Sequence, residues 1–159
     1  MRVYKFYLPN RITSTIGGYE LLLRFHEELS PIYNSVIELS FKNVKWFEAN
    51  LVSVLGAIIE DLELKKNIVK IVERENIKND IFIRNQFLTD FGFEKIDDKF
   101  STQIPYKKFK ETESEEYNYY IQKELLEKAE FPKLSKRLQK EINLTIYELF
   151  ENARTHGKL

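Results

Sequence analysis

The chain has 159 residues, 43% apolar and 31% charged, and its 25 basic and 25 acidic side chains give a formal net charge of zero. This is the balance of a soluble globular protein of one ordinary domain plus an appended element, and a neutral chain is not drawn over distance to nucleic acid or an anionic membrane, so neither is expected as a partner. Cysteine is absent, which excludes disulfides, zinc–thiolate sites and cysteine nucleophiles, and is compatible with the cytosol.

The first residues, Met1, Arg2, Val3, Tyr4 and Lys5, do not form the apolar stretch of a signal peptide. The longest apolar segment, 51–59, is broken by Ser53 and Gly56 and is too short to span a bilayer. The expected location is therefore cytoplasmic. Abundant Lys, Ile, Asn, Glu and Phe resemble the output of an AT-rich bacterial genome.

In chain order, residues 3–8 alternate and are rich in aromatics up to Pro9 and Asn10, which reads as a strand. Thr13 or Ser14 can cap a helix over 19–29, where Leu22, Leu23, Phe25, His26 and Leu29 follow helical spacing. Residues 36–41 form a second strand. Residues 50–62 form a second helix with Leu51, Val54, Leu55, Ile58 and Ile59 on one face. A third strand covers 68–72, and a third helix covers 80–90 with Gly92 as its C-cap. Residues 102–109 read as a fourth strand running into Lys107, Lys108 and Lys110. The acidic stretch 111–116 marks a boundary. Helices follow over 117–128 and from Pro132 to about His156. The expected architecture is α/β: a mixed, partly parallel sheet of about four strands in a domain spanning 1–110, then a helical segment 111–159.

Residues 36–55 place an apolar strand with an acid, Glu38, before a loop and a helix opening on Leu51. With the helix-then-glycine segment 85–93, this pattern resembles a STAS domain, the fold of anti-sigma-factor antagonists, over roughly 34–105. The resemblance implies a STAS-like mixed sheet. It also places the family's phosphoacceptor at Ala49 or Asn50, neither of which carries a hydroxyl. The phosphorylation switch is expected to be missing, with Ser53 one turn too far on. Glu48 reads as helix-start electrostatics.

The C-terminal residues 148–157 read E-L-x-x-N-A-x-x-H-G. Glu148, Asn152 and His156 are spaced i, i+4, i+8 and share a helix face. Ile142, Ile146, Leu149 and Ala153 form an adjacent stripe able to meet a core. An amide oxygen can ligate a hard cation, and a carboxylate one turn away can orient water or act as base. These residues resemble the N-box of the histidine-kinase-like ATPase superfamily, most closely the anti-sigma serine kinases. The resemblance implies that Asn152 is the Mg²⁺ ligand, Glu148 the catalytic carboxylate of a complete ATPase domain, and His156 a polar nucleotide-site position. The family's D-x-G-x-G loop is missing: the glycines are Gly17, Gly18, Gly56, Gly92 and Gly157, with no G-x-G among them. The chain therefore reads as the front of a longer protein, whether an expressed fragment or a natural truncation. As it stands it is expected to hold no cofactor and to be inactive; Mg²⁺–ATP belongs to the full-length protein.

Other candidates have plainer readings. His26 lies on a Leu- and Phe-rich helix without a second ligand at metal spacing. Glu27, Glu28, Glu60, Asp61 and Glu63 read as solvated helix faces, and the three lysines at 107, 108 and 110 as a solvated edge. Trp46 and Phe47 read as core anchors, with an exposed interaction site as the alternative. No nucleophile elbow supports a serine hydrolase.

Together the two resemblances imply a regulatory protein-interaction module at the front of an ATP-binding signalling protein of the partner-switching type. Its partner is another protein or its own ATPase domain, held at high effective concentration. The alternatives are a fragment of an ATPase or of a serine or histidine kinase, and a scaffold that homodimerises through its last two helices. There Tyr117, Tyr120, Leu125 and Leu126 extend the contact.

Overall fold

The computed structural model describes residues 1–75, 81–96 and 102–157. It divides into two compact units, Met1–Ile96 and Asp97–Leu159.

In the first unit, β1 (Val3–Tyr7), β3 (Val36–Ser40) and β5 (Ile68–Val72) form a three-stranded sheet in the order β1-β3-β5. Both pairings are parallel, with Lys5 opposite Glu38 and Glu38 opposite Lys70. The connections are α1 (Ile16–Leu29) and α2 (Val52–Leu64), the latter led in by a 3₁₀ turn over Ala49–Leu51. Strand order advances one way, so two right-handed crossovers put both helices on one face of the sheet. The alternation of the strands follows from that. Ile37, Leu39, Val69 and Ile71 are buried beneath the helices, while Val3, Tyr7 and Ile68 on the opposite face stand about half exposed or more. Leu22, Phe25 and Leu29 of α1 and Leu55, Ile59 and Leu62 of α2 supply the helical side of the core. A second small sheet pairs β2 (Arg11–Ile12) with β4 (Trp46–Phe47).

Beyond the sheet, α3 (Ile81–Arg84) and a 3₁₀ turn over Phe87–Phe91 carry an aromatic chain. Phe82 lies 4.9 Å from Phe47, 5.8 Å from Phe41 and 6.0 Å from Phe87, ring centre to ring centre. The helix expected over 80–90 is thus interrupted, and Asp80 lies outside the described residues. Asn85 causes the break. Its side-chain oxygen accepts from the Phe87 N–H at 3.1 Å, and Gln86 takes a left-handed φ of 67°. Gly92 ends the segment at φ 80°, as its sequence position implies.

Two further expectations shift. α1 begins at Ile16, three residues before 19, and Thr15 occupies its N-cap. Gly18 permits this: a Cβ there would sit 1.8 Å from the Thr13 carbonyl oxygen. The sheet of about four strands is a parallel three, because residues 102–110 form no strand. That segment belongs to the second unit. The Tyr120 hydroxyl donates to the Pro105 carbonyl, Lys128 Nζ donates to the Gln103 carbonyl at 2.6 Å, and the Phe109 ring packs edge-on against Tyr117 and Tyr120, 5.2 Å from each. These ties put the division at 96/97 rather than at 110/111.

The second unit then holds α4 (Ser114–Ile121), which runs on as a π-turn over Gln122–Leu126, and α5 (Lys136–His156). α5 starts four residues after Pro132, with Ser135 as N-cap accepting from the Leu138 N–H at 3.3 Å. Tyr117 and Phe150 stack with ring centres 4.2 Å apart. Burial pushes the Tyr120 phenol up to about 12. Among the described residues, no helix is long and apolar enough to cross a membrane.

Candidate functional site

Glu148, Asn152 and His156 all fall on the last turns of α5, and all three are exposed. The helix is unbroken through them. Each step of four residues rises about 6 Å and turns about 40°, so the three side chains line one strip about 12 Å long. None of the three side chains forms a hydrogen bond or ion pair with another described residue. Their neighbour Glu151 behaves differently. Its carboxylate is bound by Arg154 and by the Ser114 hydroxyl, and the Arg154 bond foremost holds it below the usual carboxylate range. Asn152 and Glu148 thus offer one amide oxygen and one free carboxylate to solvent. Two oxygen ligands on one exposed helix face do not by themselves complete an octahedral shell. Among the described residues, no cluster of three or more His, Asp or Glu could hold a metal ion unaided.

The apolar stripe beside this strip divides. Ile142 and Ile146 are half-buried on the side of Phe150, while Leu149, 63% exposed, and Ala153 face solvent. The stripe is therefore only partly used as a core face.

In the first unit, Ala49 and Asn50 are exposed in the 3₁₀ turn that opens α2, and Ser53 donates to the Asn50 carbonyl at 3.1 Å. Glu48 is not spent on α2. Its carboxylate accepts from the Ser14 N–H at 2.7 Å and from the Ser14 hydroxyl, and these bonds hold it below the ordinary glutamate range. It serves the start of α1 instead. Phe47 is a core anchor, but Trp46 is 44% exposed beside the Arg11 guanidinium. Asp61 is not simply solvated. Its Oδ2 meets His26 Nε2 at 2.9 Å and Lys65 Nζ at 2.7 Å, and Lys65 also donates to the Ser30 hydroxyl at 2.6 Å.

One cluster escapes the sequence altogether. At the carboxyl end of β5, Glu73 takes a left-handed φ of 55°, and its carboxylate accepts from Lys5 Nζ at 2.8 Å and from the buried Ser40 hydroxyl at 2.6 Å. The Lys5 bond foremost, then Ser40, lowers its pKa. Crevices outside the carboxyl ends of parallel strands are where open α/β sheets bind ligands. Only the parallel register brings residues 5, 40 and 73 together, so no local motif announces them.

Comparison with protein-family models, with curated proteins and with solved structures finds no match to this chain.

Proposed function

We propose that the first unit is a regulatory protein-interaction module and that α5 supplies the opening helix of a Mg²⁺–ATP site in a signalling protein of the partner-switching type. The observation that carries this reading is the strip Glu148, Asn152 and His156: three uncommitted polar side chains on one exposed face of an unbroken helix. Asn152 ligates the cation, Glu148 orients water or takes a proton, and His156 adds a polar contact. Bound Mg²⁺–ATP supplies the phosphates that complete the shell. The first unit supports the regulatory half of the proposal. Its exposed apolar side chains, Ile16, Tyr19 and Leu23 on α1 with Val3, Tyr7 and Ile68 on the sheet, suit a protein partner better than a small molecule.

Calorimetric titration of the complete gene product with Mg²⁺–ATP tests the site. Asn152→Ala should weaken binding by roughly tenfold or more, a loss of about 1.4 kcal/mol. Glu148→Ala should leave binding in place and cut turnover by about 10²- to 10⁴-fold, the usual range for a lost general base. Wild-type turnover in both variants would remove the assignment.

A second reading, a scaffold that homodimerises through its terminal helices, is favoured by Leu138, Leu144 and Leu149, which are all exposed on α5.

A further inference from the structure

We propose that Glu73 is a salt-sensitive strap: its side chain crosses the carboxyl end of the sheet from β5 to β1, and its release loosens that end while the amino end stays paired. This goes beyond the reading of the first unit as an interaction module and is independent of the nucleotide site.

Strand order carries the argument. β5 and β1 are not neighbours, because β3 lies between them. Two strand spacings, roughly 10 Å, separate them. The last row of the sheet is Tyr7, Ser40 and Val72, and Glu73 follows it directly. Its carboxylate meets both of the other strands. It accepts from the Ser40 hydroxyl on β3 at 2.6 Å and from Lys5 Nζ on β1 at 2.8 Å. The Ser40 oxygen accepts in turn from the Lys42 N–H at 3.3 Å, which leaves its one proton for Glu73.

The backbone is bent to make this reach. By strict alternation, residue 73 would share the helix-covered face of Val69 and Ile71. Lys5 and Ser40 lie on the opposite, open face. The left-handed φ of 55° at Glu73 breaks the alternation and brings the carboxylate round to them. That conformation is costly for a residue with a Cβ, and the two bonds offset the cost. Ser40 has no exposed surface although its face of the sheet is open, because the strap lies over its hydroxyl.

The strap is built to open. The Lys5 and Glu73 side chains are 34% and 36% exposed, so salt screens their attraction. On release, Lys5 still has Glu38 opposite it in the ladder and is not left as a bare charge.

Amide hydrogen exchange on the full chain tests this, read residue by residue. Two amides report the strapped end: the Leu8 N–H donates to the Ser40 carbonyl at 3.0 Å and the Phe41 N–H to the Val72 carbonyl at 2.9 Å. Two report the amino end: the Val36 N–H donates to the Arg2 carbonyl at 2.8 Å and the Ile68 N–H to the Ser35 carbonyl at 2.9 Å. Glu73→Gln should speed exchange at Leu8 and Phe41 roughly threefold to tenfold and leave Val36 and Ile68 within about twofold of wild type. Glu73→Gly, which adopts the same φ freely, should do the same and so assign the effect to the side chain. Lys5→Met should match Glu73→Gln in direction and add nothing to it in the double variant. Sodium chloride at about 1 M, where the Debye length is about 3 Å, should reproduce the effect in the wild type and change little in Glu73→Gln. Equal acceleration of all four amides would overturn the proposal by showing a loss of global stability. Unchanged exchange at Leu8 and Phe41, additive Lys5 and Glu73 effects, or the same salt response in wild type and variant would each overturn it as well.

Discussion

Asp61 ties the two helices of the first unit together: it sits on α2, and its partner His26 sits on α1. The bond from Lys65, then that from His26, holds its carboxyl below the ordinary aspartate range. A carboxylate depressed in the folded state stabilises the fold above its unfolded pKa of about 3.9, and that contribution is lost as pH falls through the folded value. The side chain is 41% exposed, so solvent screening limits the gain to about 0.5–1 kcal/mol. Asp61→Asn should lower stability to chemical denaturation by about that much at neutral pH, and the gap to wild type should close as pH falls from about 4 downward. A gap of constant size across that range would show that packing, not the ion pair, is what the substitution removes. Residue-scale geometry was legible in the sequence where glycine advertised it. Gly92 reads as a C-cap and adopts φ 80°. Asn34, Lys66, Glu73 and Gln86 also hold positive φ, between 50° and 67°. Asparagine tolerates that region, but the side chains of Lys66, Glu73 and Gln86 do not signal it, and the Glu73 cluster was hidden for the same reason.

At the scale of elements, periodicity identified α1, α2, β1, β3 and β5, because each has one face buried and one face wet. It misled over 102–109. Ile104, Tyr106 and Phe109 look like strand positions, yet Pro105 lends its carbonyl to Tyr120, and Phe109 packs on the tyrosines of α4. A segment can be extended and aromatic because a helix pair holds it rather than a sheet. The terminal helix was legible as amphipathic, but which half of its stripe is buried depends on α4. The stacking of Phe150 on Tyr117 draws Ile146 inward and leaves Leu149 outside. Association through α5 therefore has to use the outer half. If the chain pairs by this helix, light scattering should report a dimer that Leu149→Glu weakens roughly tenfold or more, and Leu149→Glu should leave helix content unchanged, because the side chain is 63% exposed. A monomer at high concentration removes the scaffold reading.

At the scale of the molecule, composition placed a boundary at residue 111, where the acidic stretch starts, whereas the chain divides at 96/97. Hydrogen bonds from Tyr120 and Lys128 back to residues 103 and 105 assign the intervening segment to the helices, and composition carries no record of such bonds. The coarse α/β class was readable from alternating patterns. The all-parallel order β1-β3-β5 was not, because strand order depends on long-range register. The central claim concerns the face of α5, and hydrogen–deuterium exchange on the complete gene product, with and without Mg²⁺–ATP, tests it most directly. The account predicts that nucleotide slows exchange in the last turns of α5, around Glu148, Asn152 and His156, and that Asn152→Ala removes the effect. Nucleotide binding that leaves exchange in this helix unchanged would contradict it.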